Sequence, residues 1–244
     1  MNIILLEPSE VADQGRVVLR DARALHIRNV LHARPGDVFR MGVLDGPLGT
    51  GEVVEVGDDA IELRCTLNEE PPPRPPVDLL LALPRPKVMK RLWAQLAALG
   101  VGRIILTNAW KVERNYFDTH VLTPECYRPL LIEGLQQAQD TRLPEVSIHK
   151  QFKVLVNEHL AALVPDAIRI VADPRGERSV REAIKADSRR VLLAVGPEGG
   201  WTDYEIALLQ QHGFATIALG RRTLRADTAC VALLALVHEA LQDS

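Results

Sequence analysis

A chain of 244 residues, 47% of them hydrophobic, is long enough to bury a core in one large domain or two modest ones. Charged residues make up 25% with both signs mixed and a formal net charge of -3, which excludes a global basic field and leaves any polyanion site to a local patch. Cys65, Cys126 and Cys230 are scattered without a C-x-x-C pair, which argues against a disulfide framework or a zinc cluster and fits a reducing, cytoplasmic setting.

The opening "MNIILLEPSE" carries no basic leader, so no secretory signal is expected there. Short alternating runs follow in "DVFRMGVLDG" and "TGEVVEVGDDAIELRCTL", broken by Gly and Asp turns, the pattern of a small antiparallel barrel or sheet. One short helix is predicted at 22–31. Seven of the sixteen prolines fall between Pro71 and Pro86, and "PPPRPP" reads as a stiff extended connector. The boundary is placed there, giving domains 1–72 and 73–244.

Beyond it, apolar runs alternate with helical stretches. Strands are predicted at 77–83, 103–107, 168–172, 191–195 and 216–219, and helices at 88–99, 124–140, 179–186, 203–211 and 227–241. Near-continuous apolar strands between helices imply an α/β domain with a mostly parallel sheet covered on both faces. Ligands in such sheets sit outside the carboxyl ends of the strands. The longest apolar run, Ala229 to Val237, is far below the roughly 20 residues of a membrane span, so no membrane role is expected.

At one carboxyl end stands "GPEGGW", 196–201. Gly196, Gly199 and Gly200 permit positive φ and close approach of a ligand to the main chain, Pro197 stiffens the turn, and Thr202 with Glu205 reads as a capping box. The Lys of a phosphate loop and the spacing of a dinucleotide fold are both missing. Glu198 at the centre repels phosphate and tolerates a cation, which favours a neutral or positive ligand such as a sulfonium or an adenosine. An ordinary strand-to-helix turn is the alternative on these residues alone. The next strand ends in Leu219-Gly220 and runs through Arg221, Arg222, Thr223, Leu224 and Arg225 into an apolar helix. Three arginines in five residues either meet anions or are solvated loop charges.

Together, "GPEGG" at 196–200 and "LGRRTLRADTA" at 219–229 resemble the paired motifs of the RsmE family, SPOUT-class methyltransferases acting on N3 of a uridine in 16S ribosomal RNA. Thr223 stands where that family usually has Ile and Asp227 where it has Glu. "LHIRNVLHARPGD" resembles its PUA-like barrel domain and "QAQDTRLPEV" a segment of its catalytic domain; the resemblance covers essentially the whole chain. "AALGVGRIILTNA" departs mildly from its more usual Glu-Leu-Gly.

The resemblance implies an N-terminal PUA-like RNA-binding barrel, a C-terminal SPOUT domain with a trefoil knot, and a homodimer. It implies S-adenosylmethionine held by Asp173, Pro174, Ala194, Gly196, Pro197, Glu198, Gly199, Gly200, Leu219, Gly220 and Leu224. Arg225 is the candidate for stabilising charge on the uracil oxygens, and Asp227 is either a base or a helix cap. The partner implied is 16S rRNA or the small ribosomal subunit. A SPOUT enzyme acting on another nucleotide, and a noncatalytic RNA-binding protein, are the rival readings.

Between Arg16 and Arg40 lie six arginines and two acids, a local cationic face for phosphates. Arg23, Arg28 and Arg34 are its candidates, with Lys87, Lys90 and Arg91 as a second cluster; solvated helix faces are the alternative for each. The seven histidines show no metal spacing, and no metal is expected.

Overall fold

The computed structural model describes residues 2–184 and 189–242. They fall into two compact units, Met1–Arg74 with Ile132–Leu143, and Pro75–Leu131 with Pro144–Ser244. The first holds a five-stranded sheet: β1 (Ile4–Leu6), β2 (Arg16–Leu19), β3 (Val38–Val43), β4 (Leu48–Val56) and β5 (Ile61–Glu69), in the order β1-β3-β4-β5-β2. Three of its four pairings are antiparallel, as the turn-broken alternation predicts. The fourth, β1 with β3, is parallel, and no turn signal in the sequence announces it.

Alternate residues of β4 and β5 turn inward, so one face carries Val53, Ile61 and Leu63 into a core with Leu6, Leu19, Ile27 and Met41. The helix Ala22–Asn29 starts where the Asp21 carboxylate accepts the Arg23 amide at 2.9 Å. It stops short of the predicted end, and His32 just beyond takes the left-handed conformation at φ 50°.

The second unit holds six strands, all parallel: β6 (Val77–Ala82), β7 (Val101–Thr107), β8 (Glu145–His149), β9 (Ile168–Ala172), β10 (Val191–Val195) and β11 (Ala215–Ile217). Their order is β11-β9-β10-β6-β7-β8. Every residue of β6 and β10 is buried, which is why these strands read as apolar runs, broken only by Asp78 of β6. Edge strand β8 is half exposed, and its pattern carries no such signal.

Asp78 in β6 is completely buried, and its carboxylate takes Arg190 Nε at 2.6 Å and Nη2 at 2.8 Å. This pair sits at the amino ends of β6 and β10, away from the ligand end, and staples the two strands.

The helix Pro86–Ala98 buries Met89, Leu92, Trp93, Leu96 and Ala97, one stripe at helical spacing, with Pro86 at its first position. The final helix, Ala226–Gln242, packs Ala226, Cys230, Leu233, Leu234 and Val237 inward against that helix, β6 and β10. The helix Pro124–Ala138 ends where Gln139 adopts φ 59°. The helix expected at 179–186 is present as Val180–Ala183 behind a Ser179–Glu182 capping box; Lys185 and Ala186 lie outside the described residues. A stretch without a predicted helix, from Phe152 to Leu163, is helical with a π turn at Leu155–His159. Among the described residues no helix is long and apolar enough to cross a membrane.

Strand order decides where a site forms. The chain steps outward through β6, β7 and β8, then returns to β9 on the far side, leaving the place between β9 and β6 for β10. Loops leaving the carboxyl ends of β9, β10 and β11 therefore converge at a topological switch.

Candidate active site

These three loops enclose a cavity with the start of the final helix as its floor. The first loop supplies Asp173 and Pro174. Its main chain is fastened to β11, since the Asp173 amide donates to the Ile217 carbonyl and the Ala218 amide to that of Arg178. Asp173 is nearly buried; Arg175 donates to it from its backbone amide, Nε and Nη2 at 2.8 to 2.9 Å. The Arg175 guanidinium holds the Asp173 carboxyl below its ordinary value.

The second loop is the glycine turn. The Gly200 amide donates to the Pro197 carbonyl at 2.8 Å, and Gly200 takes φ 71°, a conformation that a side chain strains. The turn is tied from outside twice: Glu198 pairs with Arg85 at 3.0 Å, and Lys111 Nζ donates to the Gly199 carbonyl at 2.7 Å. Beyond it the predicted capping box forms. Glu205, nearly buried, receives the Thr202 amide and hydroxyl on one oxygen and the Trp110 amide on the other.

Leu219, Gly220, Arg222, Thr223 and Leu224 supply the third wall. Gly220 is at φ 89° with open space where a Cβ would stand, so glycine is needed for conformation there rather than for room.

The cavity is largely apolar, with Val195, Ile217, Leu219, Leu233 and the Trp201 ring among its walls. Within this lining Trp201 Nε1 is buried without a hydrogen-bond partner among the described residues, a donor left with a desolvation cost. Gly196 makes room for that indole: a Cβ would lie 3.0 Å from both Cδ1 and Nε1. An apolar slot for a flat ring, a waiting N–H donor and glycine main chain suit an adenosine. Asp173 and Glu198 also line the cavity, each already paired with an arginine, Arg175 and Arg85.

Of the residues expected to hold the cofactor, Asp173, Pro174, Gly196, Pro197, Glu198, Gly200, Leu219, Gly220 and Leu224 line this cavity. Ala194 does not: it lies fully buried within β10, between β9 and β6. Gly199 faces Lys111 instead. Trp201, Ile217, Ala229 and Leu233 line it without having been anticipated. Trp201 and Ile217 had a usable signal, standing at the end of a motif glycine turn and at a strand's carboxyl end.

Arg225 is exposed, next to the lining residues Leu224 and Ala226, and makes no ion pair among the described residues. Asp227 is engaged twice: one oxygen accepts the Thr228 amide at 2.9 Å and the other takes Arg91 at 3.0 Å. Arg91, expected on RNA, is thus drawn onto the final helix. Lys87 and Lys90 stand exposed on the same helix.

The three arginines of the first unit have different surroundings. Arg23 spends its donors on Glu10, Asp21 and the Leu5 carbonyl, and Arg28 donates to the Gly57 and Asp58 carbonyls. The Arg34 side chain is exposed, and no hydrogen bond or ion pair holds it among the described residues.

A family model described as an RNA methyltransferase domain matches residues 70–238. Ribosomal RNA small subunit methyltransferase E of Treponema pallidum is 30% identical over 241 residues, covering 97% of this chain and 90% of that protein. Ribosomal RNA small subunit methyltransferase E 1 of Borreliella burgdorferi is 26% identical over 95% of both chains. The crystal structure of ribosomal RNA small subunit methyltransferase E from Neisseria gonorrhoeae, bound to S-adenosyl methionine, has the same fold, with a TM-score of 0.79 at 20% identity over 98% of this chain and 97% of that one. The chain belongs to the ribosomal RNA small subunit methyltransferase E (RsmE) family of RNA methyltransferases.

Proposed function

We propose that this protein transfers the methyl group of S-adenosylmethionine to N3 of a uridine in 16S ribosomal RNA of the small subunit. The observation that carries the reading is the three-loop cavity with the unpartnered Trp201 Nε1 in its wall. Bound there, S-adenosylmethionine supplies a methyl carbon already activated by its sulfonium. Gly196, Gly200 and Gly220 bring main chain close to the ligand, and Trp201, Ile217 and Leu233 cover it. Uracil N3 gives up its proton to solvent water as it is methylated, so charge spreads onto the ring oxygens, where Arg225, exposed beside the cavity, donates. Asp227, held by Arg91, serves to position Arg91 and the helix start rather than to accept that proton.

The same reading makes 1–72 a PUA-like RNA-binding domain and 73–244 a knotted SPOUT domain, working as a homodimer in the cytoplasm. The likeness in fold to the gonococcal enzyme and the paired motifs support it. The exposed, partly apolar Leu236 face of the final helix supports the dimer.

Mass mapping of 16S rRNA methylated by the purified protein tests the reading. A methyl group on uridine N3 is expected; a ribose methyl, or none, contradicts it. S-adenosylmethionine at 100 times its Kd is expected to stabilise the fold by about 2.7 kcal/mol in thermal unfolding, and no shift counts against the cavity. Replacing Lys87 and Lys90 together with alanine is expected to lower the slope of log affinity against log salt by about 1 to 2 for RNA. An unchanged slope removes that helix from the RNA path.

A further inference from the structure

Beside the cofactor cavity, and separated from it by residues 201–205, lies an open groove that the reaction above does not use. Trp110 and Tyr204 line it with 84% and 59% of their surfaces exposed, the most exposed large hydrophobic residues of the second unit. Two exposed aromatics on one groove make a patch of the kind that marks a binding site. Nor is Trp110 loosely placed: its amide is fixed at 2.7 Å by the nearly buried Glu205, the same carboxylate that caps the helix after the glycine turn.

Three further features fit one occupant. Arg114 and Lys153 line the groove and form no ion pair among the described residues. The only carboxylate among its lining residues is Glu205, and both of its oxygens are taken. The Phe152 ring in the wall lies 5.4 Å from that of Trp201, which faces the cofactor cavity, so the groove and the donor site share a partition.

We infer that this groove binds an unpaired nucleotide of the RNA flanking the methylated one. Its base stacks on Trp110 and Tyr204, and its phosphates meet Arg114 and Lys153. Stacking on aromatics beside free cations is how single strands are held without sequence reading. The inference rests on the RNA-methylating reading and adds a site to it.

The test uses fluorescence. Of three tryptophans, Trp93 and Trp201 are buried, so Trp110 dominates any change that a surface ligand causes. Titration with a short single-stranded RNA of mixed sequence, without methyl donor, is expected to quench emission in the wild type and not in W110F. Affinity for this RNA is expected to fall about tenfold or more in W110A and much less in W110F, with S-adenosylmethionine affinity and sedimentation unchanged. The double variant R114A/K153A is expected to flatten the salt dependence. RNA binding that W110A leaves untouched overturns the groove alone. A wild type that binds no RNA overturns the groove and the RNA-methylating reading together. A shift of W110A to smaller particles assigns the face to a second copy of the chain and likewise overturns the inference.

Discussion

Replacing Arg225 with alanine is expected to lower turnover about a hundredfold, measured with saturating RNA and cofactor, while S-adenosylmethionine affinity stays near its original value. Arg225 stands at the start of the final helix between two cavity-lining residues, Leu224 and Ala226. The nearest acid in sequence, Asp227, is engaged by Arg91 at 3.0 Å, so it does not neutralise Arg225. An unpaired guanidinium beside the cavity is available to oxygens whose charge grows as the base loses its proton. Arg225→Lys keeps the charge and loses the planar fork, so it should recover only part of the rate. Turnover near wild type in Arg225→Ala contradicts the role.

Gly176→Val is expected to weaken S-adenosylmethionine binding by about two orders of magnitude, read by calorimetry. Gly176 follows the first loop, where a Cβ would stand 2.5 Å from the Ile217 carbonyl carbon and 2.9 Å from the Ala218 nitrogen. Both obstacles are main chain, and no side chain can swing aside. The pair of segments must part, breaking the bonds from Asp173 to Ile217 and from Ala218 to Arg178 that align two of the three walls. Overpacking of this kind costs about 1–3 kcal/mol, and its upper end corresponds to roughly a hundredfold in affinity. Gly213→Ala is the control: its strain comes from a φ of 84° and it lies away from the cavity, so it should lower stability and leave affinity alone. Unchanged affinity in Gly176→Val would mean that the alignment of these loops does not govern binding.

What the sequence made legible follows from burial. Strand β10 is a continuous apolar run because both faces are covered, and the helix Pro86–Ala98 shows a stripe because one face is. The glycine turn and its capping box were readable because φ above zero and the T-x-x-E spacing are local demands. β8 was not, since "EVSIH" at a sheet edge has no buried run to betray it. Partners distant in sequence were equally hidden: Arg91 with Asp227, Arg23 with Glu10, and the backbone obstacle that makes position 176 a glycine. The exposure of Trp110 belongs to the same class, because nothing local distinguishes a covered tryptophan from a bare one.

The central claim is that the loops after β9, β10 and β11 form the methyl donor's seat. A crystal structure with S-adenosylmethionine tests it most directly. The account predicts density for the adenosine against Trp201, Ile217 and Leu233, with Trp201 Nε1 gaining a partner from the ligand or an ordered water. Clear density at any other place on the molecule, with this cavity unchanged, would contradict it.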